Sequence, residues 1–350
     1  MTGPGWKALA GCALVALGAC AGRSRAVATE EPVAPSSVIG VVVAVPGPPP
    51  ASPMAPRSAP AVRTVGSCES EAAGDVTRFT LAHLNDLQAR YSDLYGGRSR
   101  YGFVAGYLRE LKHEVPNTLV VDAGDDYEKG ALAELRSMGE TTRRMVQALP
   151  LDARTLGNHD FAYGEGAVLR DITQSVHPVL VANVHRVGSE STPFLPFVRI
   201  DVGCVKVGIV GLVTRNYGSD DWPSRVPFDG VFAHDDRYAA VLAEQVRAHR
   251  SEVDVMIALD HLGLGQDYAL ASSVEGIDLV VGGHTEDLIP MPILVRRRNG
   301  SHAWVVQAGH WGRTLGRADL LWNLRDKTLS IERYEIVKVD DSLPYAEDVG

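Results

Sequence analysis

The sequence predicts an α/β domain over residues 75–340 of a 350-residue chain. Three observations carry this expectation. Strand-like and helix-like segments alternate from Val76 onward, as they do in a sheet flanked by helices. The last segments are all β-like, which predicts antiparallel strands at the end. Five strand-like segments run directly into short polar clusters, and in open α/β folds ligands bind beyond the carboxyl ends of strands. No internal repeat is visible.

The elements follow in order. "VTRFTLAHL" reads as a strand ending at Asn85-Asp86. "RSRYGFVAGYLRELKHEV" has helical apolar spacing at Phe103, Tyr107, Leu108 and Leu111. "NTLVVDAGD" is a buried strand running into a turn, and "KGALAELRSMGETTRRMVQAL" is helical. "LDARTLGNHD" and "PVLVAN" are strands. "FVRIDVGCVKVGIVGLV" reads as two strands about a tight turn at Val202–Cys204. "DDRYAAVLAEQVRAHRSEV" is an amphipathic helix, while "VDVMIALDHLG" and "IDLVVGGHT" are strands with polar ends. "PILVRRR", "AWVVQAG", "RTLGRADLLWNL" and "TLSIERYEIVKV" complete the β-like end, leaving 341–350 as a C-terminal tail.

Before the domain the composition changes. Residues 1–19 combine a short polar start with the apolar run "ALAGCALVALGA", too short to span a bilayer. "LGAC", Leu17 to Cys20, resembles the lipobox of bacterial lipoproteins, in which the signal peptide is cut before a cysteine that carries lipid. The resemblance implies acyl chains on Cys20, a membrane partner through that anchor, and a place at the cell envelope. Residues 20–74 are rich in Pro, Ala, Ser and Val and read as an extended tether. Cys68 and Cys204 are the cysteines left to the domain. An exported chain permits a bridge between them, and two separate thiols are the alternative. The formal charge of −9 argues against a nucleic-acid polymer as the main partner, since phosphate binding needs a basic face.

The polar clusters at the strand ends are "LNDLQ" (Asp86, Gln88), "DAGDD" (Asp125, Asp126), "GNHD" (Asn158, His159), "DHLG" (His261) and "GGHTE" (His284, Glu286). Each alone has an ordinary explanation, such as a cap, a turn or a core histidine. Together, Asp, Asn and His side chains on separate loops suggest one metal centre. Glycines in four of the clusters would let the backbone approach closely.

This ordered set resembles the metallophosphoesterase domain of the 5′-nucleotidase family, a branch of the calcineurin-like phosphoesterases. That family runs through Asp-x-His, Gly-Asp, Gly-Asn-His-Glu/Asp, His-x-Gly and Gly-His-x-His or Gly-His-x-Gln. Here the counterparts are Asp86-Leu87-Gln88, Gly124-Asp125, Gly157-Asn158-His159-Asp160, His261-Leu262-Gly263 and Gly283-His284-Thr285-Glu286. The resemblance covers Thr77 to Leu324 and implies a four-layer α/β-β-α sandwich with two divalent metal ions. Asp125 would bridge them. Asp86, Gln88 and Glu286 would complete the first site, and Asn158, His261 and His284 the second. His159 would face the phosphate as a general acid. Paired cations hold phosphoryl oxygens and lower the pKa of bound water, so hydroxide becomes available near neutral pH.

Three positions depart from the family pattern. Gln88 stands where His is usual and Glu286 where His or Gln is usual. The first site would then offer oxygens only, which suits Mn²⁺, Mg²⁺ or Ca²⁺ better than Zn²⁺. The second keeps two histidines and suits Zn²⁺, Mn²⁺ or Fe²⁺, so a mixed or manganese-favouring centre is expected. The family also carries an acid three residues after the catalytic histidine, which orients it; here that place is Ala162. Asp160 is expected to point elsewhere. The expected activity is hydrolysis of small phosphate esters, with nucleotides among the candidates. The alternative is a lipid-anchored pseudoenzyme or binding module whose altered first site has lost turnover.

Overall fold

A computed structural model describes residues 62–68, 74–128, 131–189, 191–215 and 231–349. The expected signal peptide, Cys20 and most of the tether lie outside the described residues. Two sheets form the centre. The six-stranded sheet runs, edge to edge, through Thr328–Lys338, Thr314–Asn323, Val76–Leu84, Thr118–Asp122, Ala153–Thr155 and Val179–Leu180. The seven-stranded sheet runs through Arg63–Val65, Phe197–Val202, Val205–Val213, Val255–His261, Leu279–Val281, His302–Val306 and Ile293–Arg296. Val76–Leu84, Thr118–Asp122, Ala153–Thr155 and Val179–Leu180 pair in parallel in the first sheet. Val205–Val213, Val255–His261, Leu279–Val281 and His302–Val306 do so in the second, while Phe197–Val202 pairs antiparallel with Val205–Val213. Strands Thr314–Asn323 and Thr328–Lys338 add on antiparallel, as the run of late β-like segments predicts.

Side-chain alternation builds the layers. Phe79, Leu81, Leu119 and Val121 of the first sheet meet Ile200, Val207, Ile209, Ile257 and Leu259 of the second, all buried. The opposite face of the first sheet (Ala82, Leu84, Val120) packs on helix Arg100–Glu114 through Phe103, Val104, Leu108 and Leu111. The opposite face of the second (Leu212, Met256, Ala258, Val280) packs on helices Tyr238–His249 and Leu264–Ser273. Strands covered on both sides need apolar residues at nearly every position, hence runs such as "VMIAL". Each buried Leu, Ile or Val contributes about 1.5–3 kcal/mol. The result is the expected four-layer α/β-β-α sandwich.

Several boundaries differ from expectation. The tether gives up its last residues: Arg63–Val65 adds a parallel edge strand beside Phe197–Val202, and Cys68 is disulfide-bonded to Cys204 with Cα atoms 4.6 Å apart. That cross-link closes a 136-residue separation, and loop closure of this kind stabilises by about 2–5 kcal/mol. The C-terminal residues are not a free tail either. Ala346 N–H donates to Gly102 O (2.9 Å), and the Tyr345 ring packs on Phe103 (4.7 Å between centroids). Gly102 and Gly106 make the notch: a Cβ would lie 2.3 Å from Tyr345 at the first and 2.1 Å from Pro344 O at the second.

The helical stretch after Gly130 is two helices, Leu132–Ser137 and Glu140–Ala148, broken where Met138 and Gly139 turn left-handed. Helices Glu165–Gln174 and Leu264–Ser273 were not expected. Both start after a glycine, Gly164 and Gly263, that offers no side-chain cap to read.

Candidate metal centre

All five polar clusters lie at the carboxyl ends of parallel strands, and the two sheets present these ends along one edge. Backbone bonds lock the loops together. Asp86 N–H donates to Gly124 O (2.8 Å), Gln88 N–H to Asp125 O (2.8 Å) and Trp311 N–H to Asp86 O (2.7 Å). Asn85 ties the first loop to the second sheet: its amide donates to Gly309 O (2.6 Å) and accepts from Ala308 N–H (2.9 Å). Asp86, Gln88, Asp125, Glu128, His284, Glu286 and Trp311 all have positive φ. Non-glycine residues in that region are uncommon and gather at functional sites. Gly157 is required by closeness, since a Cβ there would lie 2.0 Å from Asp125 Oδ1.

Asp86, Asp125 and His261 form the centre. One ligand atom from each lies within 4.8 Å of the others, and all three residues are buried. His261 Nδ1 donates to Ala123 O (2.8 Å), which leaves Nε2 facing Asp125 Oδ2 at 3.1 Å and Asp86 Oδ1 at 4.0 Å. Asp86 Oδ1 is buried without a hydrogen-bond partner. A buried carboxylate oxygen left this way is costly unless something binds it, and these atoms are ordinary ligands for a divalent cation. The residues therefore fit a metal ion. The electrostatics agree. Burial pushes the Asp86 carboxyl up to about 7. Burial also works against the charge on Asp125, but the His261 and His159 imidazoles prevail and hold it at about 2. Burial disfavours a charged His261, yet Asp125 and Asp86 raise it to about 10.

The other predicted residues surround this centre. His284 lies beside His261 (ring centroids 5.2 Å), and its N–H donates to Asp86 Oδ2 (3.0 Å). Asn158 is buried at the end of Ala153–Thr155, one residue before His159. His159 N–H donates to Asp125 Oδ1 (2.8 Å), and His159 Nε2 lies 3.9 Å from Asp125 Oδ2. Gln88 and Glu286 meet each other: Gln88 Nε2 donates to Glu286 Oε1 (2.9 Å), while Gln88 Oε1 accepts from the Trp311 indole (2.8 Å). His310 Nδ1 stands 3.4 Å from Glu286 Oε2. A cation on this side has to compete with those hydrogen bonds.

Asp160 points away from His159, as expected, and fastens the loop. Its carboxylate accepts from Gly157 (2.6 Å), Asp125 (3.0 Å), Asp126 (2.9 Å) and Tyr127 (3.1 Å) N–H groups. His159 Nδ1 is hydrogen-bonded to Glu128. The sequence reading missed Glu128, Trp311 and His310. Glu128 lies three residues beyond Asp125 with nothing in its neighbours to mark it, whereas Trp311 follows "AGH" in a stretch already similar to the family.

The profile of the calcineurin-like phosphoesterases matches residues 79–286. A snake venom 5′-nucleotidase from Crotalus adamanteus is 30% identical over 77% of this chain and 50% of its own length. The 5′-nucleotidase of Homo sapiens is 28% identical over 83% of this chain and 55% of its own. The chain thus spans about half the length of these relatives. Among solved structures, a 5′-nucleotidase precursor from Thermus thermophilus superposes with a TM-score of 0.66 at 25% identity, over 78% of this chain and 57% of that one. With its strand-end centre and this match, the chain belongs to the calcineurin-like phosphoesterases.

Proposed function

We propose that the chain is a metal-dependent phosphoesterase acting on small phosphate monoesters or diesters, nucleotides among them. One observation carries the reading: the buried Asp86–Asp125–His261 cluster, with an orphaned carboxylate oxygen, where the strands of both sheets end. Two divalent cations are proposed. Asp125, Asn158, His261 and His284 would hold one, and Asp86, Gln88, Asp125 and Glu286 the other. The Gln88–Glu286 and Gln88–Trp311 hydrogen bonds support weaker binding at the latter, the first site of the sequence pattern. Divalent cations there would polarise phosphoryl oxygens and activate water at neutral pH. His159 Nε2 lies 3.9 Å from Asp125 Oδ2, which supports a role for His159 as the donor of a proton to the leaving oxygen. Asp160 keeps the Asp125 loop rigid while this happens.

The nucleotidase names of the relatives support nucleotides as a first substrate class to test. Hydrolysis of p-nitrophenyl phosphate and its bis-ester is measured with Mn²⁺, Mg²⁺, Ca²⁺, Co²⁺ and Zn²⁺ in turn. Turnover that disappears in Asp125→Ala and His159→Ala is the expected result. A folded protein inactive with every metal favours a binding module. Stoichiometric zinc at both positions would overturn the manganese-favouring centre. The cell-envelope placement is tested separately: Cys20→Ala should release the chain from membranes, and an unchanged membrane fraction argues against the anchor.

A further inference from the structure

We propose that Glu128 is the positioning residue for His159, replacing the acid absent at position 162. This rests on the phosphoesterase reading for its consequence and on geometry for its substance. Glu128 Oε2 contacts His159 Nδ1. A carboxylate only accepts, so Nδ1 carries a proton; Nε2 turns to the Asp125 side of the site, and a second ring proton held there is the one His159 would give to the leaving oxygen. The approach of Glu128 is built into the chain. Its backbone is left-handed (φ 61°), and its N–H donates to the carboxylate of buried Glu134 at 2.8 Å. Glu134 comes from helix Leu132–Ser137, so packed structure holds the turn that aims Glu128. The acid nearest in sequence is otherwise engaged. Asp160 has its oxygens on four backbone N–H groups. Ala162, at the end of the 3₁₀ turn His159–Phe161, offers no carboxylate. In a 3₁₀ turn, residues three apart share a face, so an acid at 162 would reach the same ring. The carboxylate that a local acid would supply comes here from the neighbouring loop, 31 residues away in sequence.

The test is a cycle of Glu128→Gln, Ala162→Asp and the double variant. Glu128→Gln alters only the side chain, so the backbone bond to Glu134 is kept. With p-nitrophenyl phosphate and the best metal, Glu128→Gln should lower kcat on the order of 10–100-fold. KM should stay within about twofold, because His159 acts on the leaving group rather than on binding. Ala162→Asp alone should change kcat less than about threefold, yet restore most of the loss in the double variant. Nitrogen-15 NMR of the metal-free protein gives a readout independent of turnover. His159 should hold the Nδ1–H tautomer in the parent chain and lose that preference in Glu128→Ala, where no side-chain acceptor is left. An unchanged His159 tautomer in Glu128→Ala overturns the proposal. If the tautomer changes but no variant hydrolyses any ester, the phosphoesterase reading fails and Glu128 stands. A loss of kcat that Ala162→Asp does not restore, with no change in the ring signals, would mean only a structural role and also overturns it.

Discussion

Asp125 and Asp126 are neighbours, both buried, and they belong to clusters of opposite character. Asp126 faces Arg154, whose guanidinium donates to Asp126 Oδ2 (2.5 Å) and also to Asp171. There the protein supplies its own cation. Asp125 faces Asp86 and His261, where a buried carboxylate oxygen has no hydrogen-bond partner and no arginine or lysine among the described residues is paired with the two acids. Buried charge is tolerated when it is paired and costly when it is not. The first arrangement is a structural staple. The second fits a ligand of positive charge.

The largest test of this contrast is the exchange Asp125→Asn. It should cut hydrolysis on the order of 10³-fold while the protein stays folded, measured as turnover beside circular dichroism. Next comes Arg154→Met, which strands two buried carboxylates and should destabilise by about 3–5 kcal/mol in denaturant unfolding. If Arg154→Met proved harmless and Asp125→Asn unfolded the chain, the two roles would be reversed. Saturating Mn²⁺ sharpens the comparison further. At a hundred times Kd it should stabilise the parent chain by about 2.7 kcal/mol in thermal or chemical unfolding. The same metal should do little for Asp125→Asn.

The smallest effect is on pH. Burial, then the charge of Arg154, hold His177 down at about 3. In the unfolded chain the imidazole takes a proton near 6.5, while in the folded one it stays neutral. Stability is therefore full above about pH 6.5 and falls as pH drops toward 3, by at most about 1.4 kcal/mol per unit. His177→Asn should flatten the decline between pH 6.5 and 4 by about 1–3 kcal/mol. An identical slope in both proteins would remove His177 from the account.

Much of the site was legible because it depends on local pattern. A strand of apolar residues and the polar cluster at its end can be read within one segment, and the candidates Asp86, Asp125, Asn158, His261 and His284 all stand at such places. Helix Arg100–Glu114 was legible from its apolar spacing. Helices Glu165–Gln174 and Leu264–Ser273 were not, since glycine caps carry no side-chain signal. The strand at Arg63–Val65 was hidden in tether-like composition and owes its place to a neighbouring strand and a disulfide.

The sequence alone pointed to an α/β arrangement and to a set of candidate metal-binding residues, because element alternation and ligand chemistry are properties of short segments. It also exposed the absence of an acid at Ala162. Only the tertiary structure decided what answers that absence. Glu128 reaches His159, Trp311 reaches Gln88, and Arg154 separates Asp126 from the centre beside it, each across a gap in sequence that packing closes. Contacts between loops are set by how two sheets meet, and no periodicity within one loop records where another will lie.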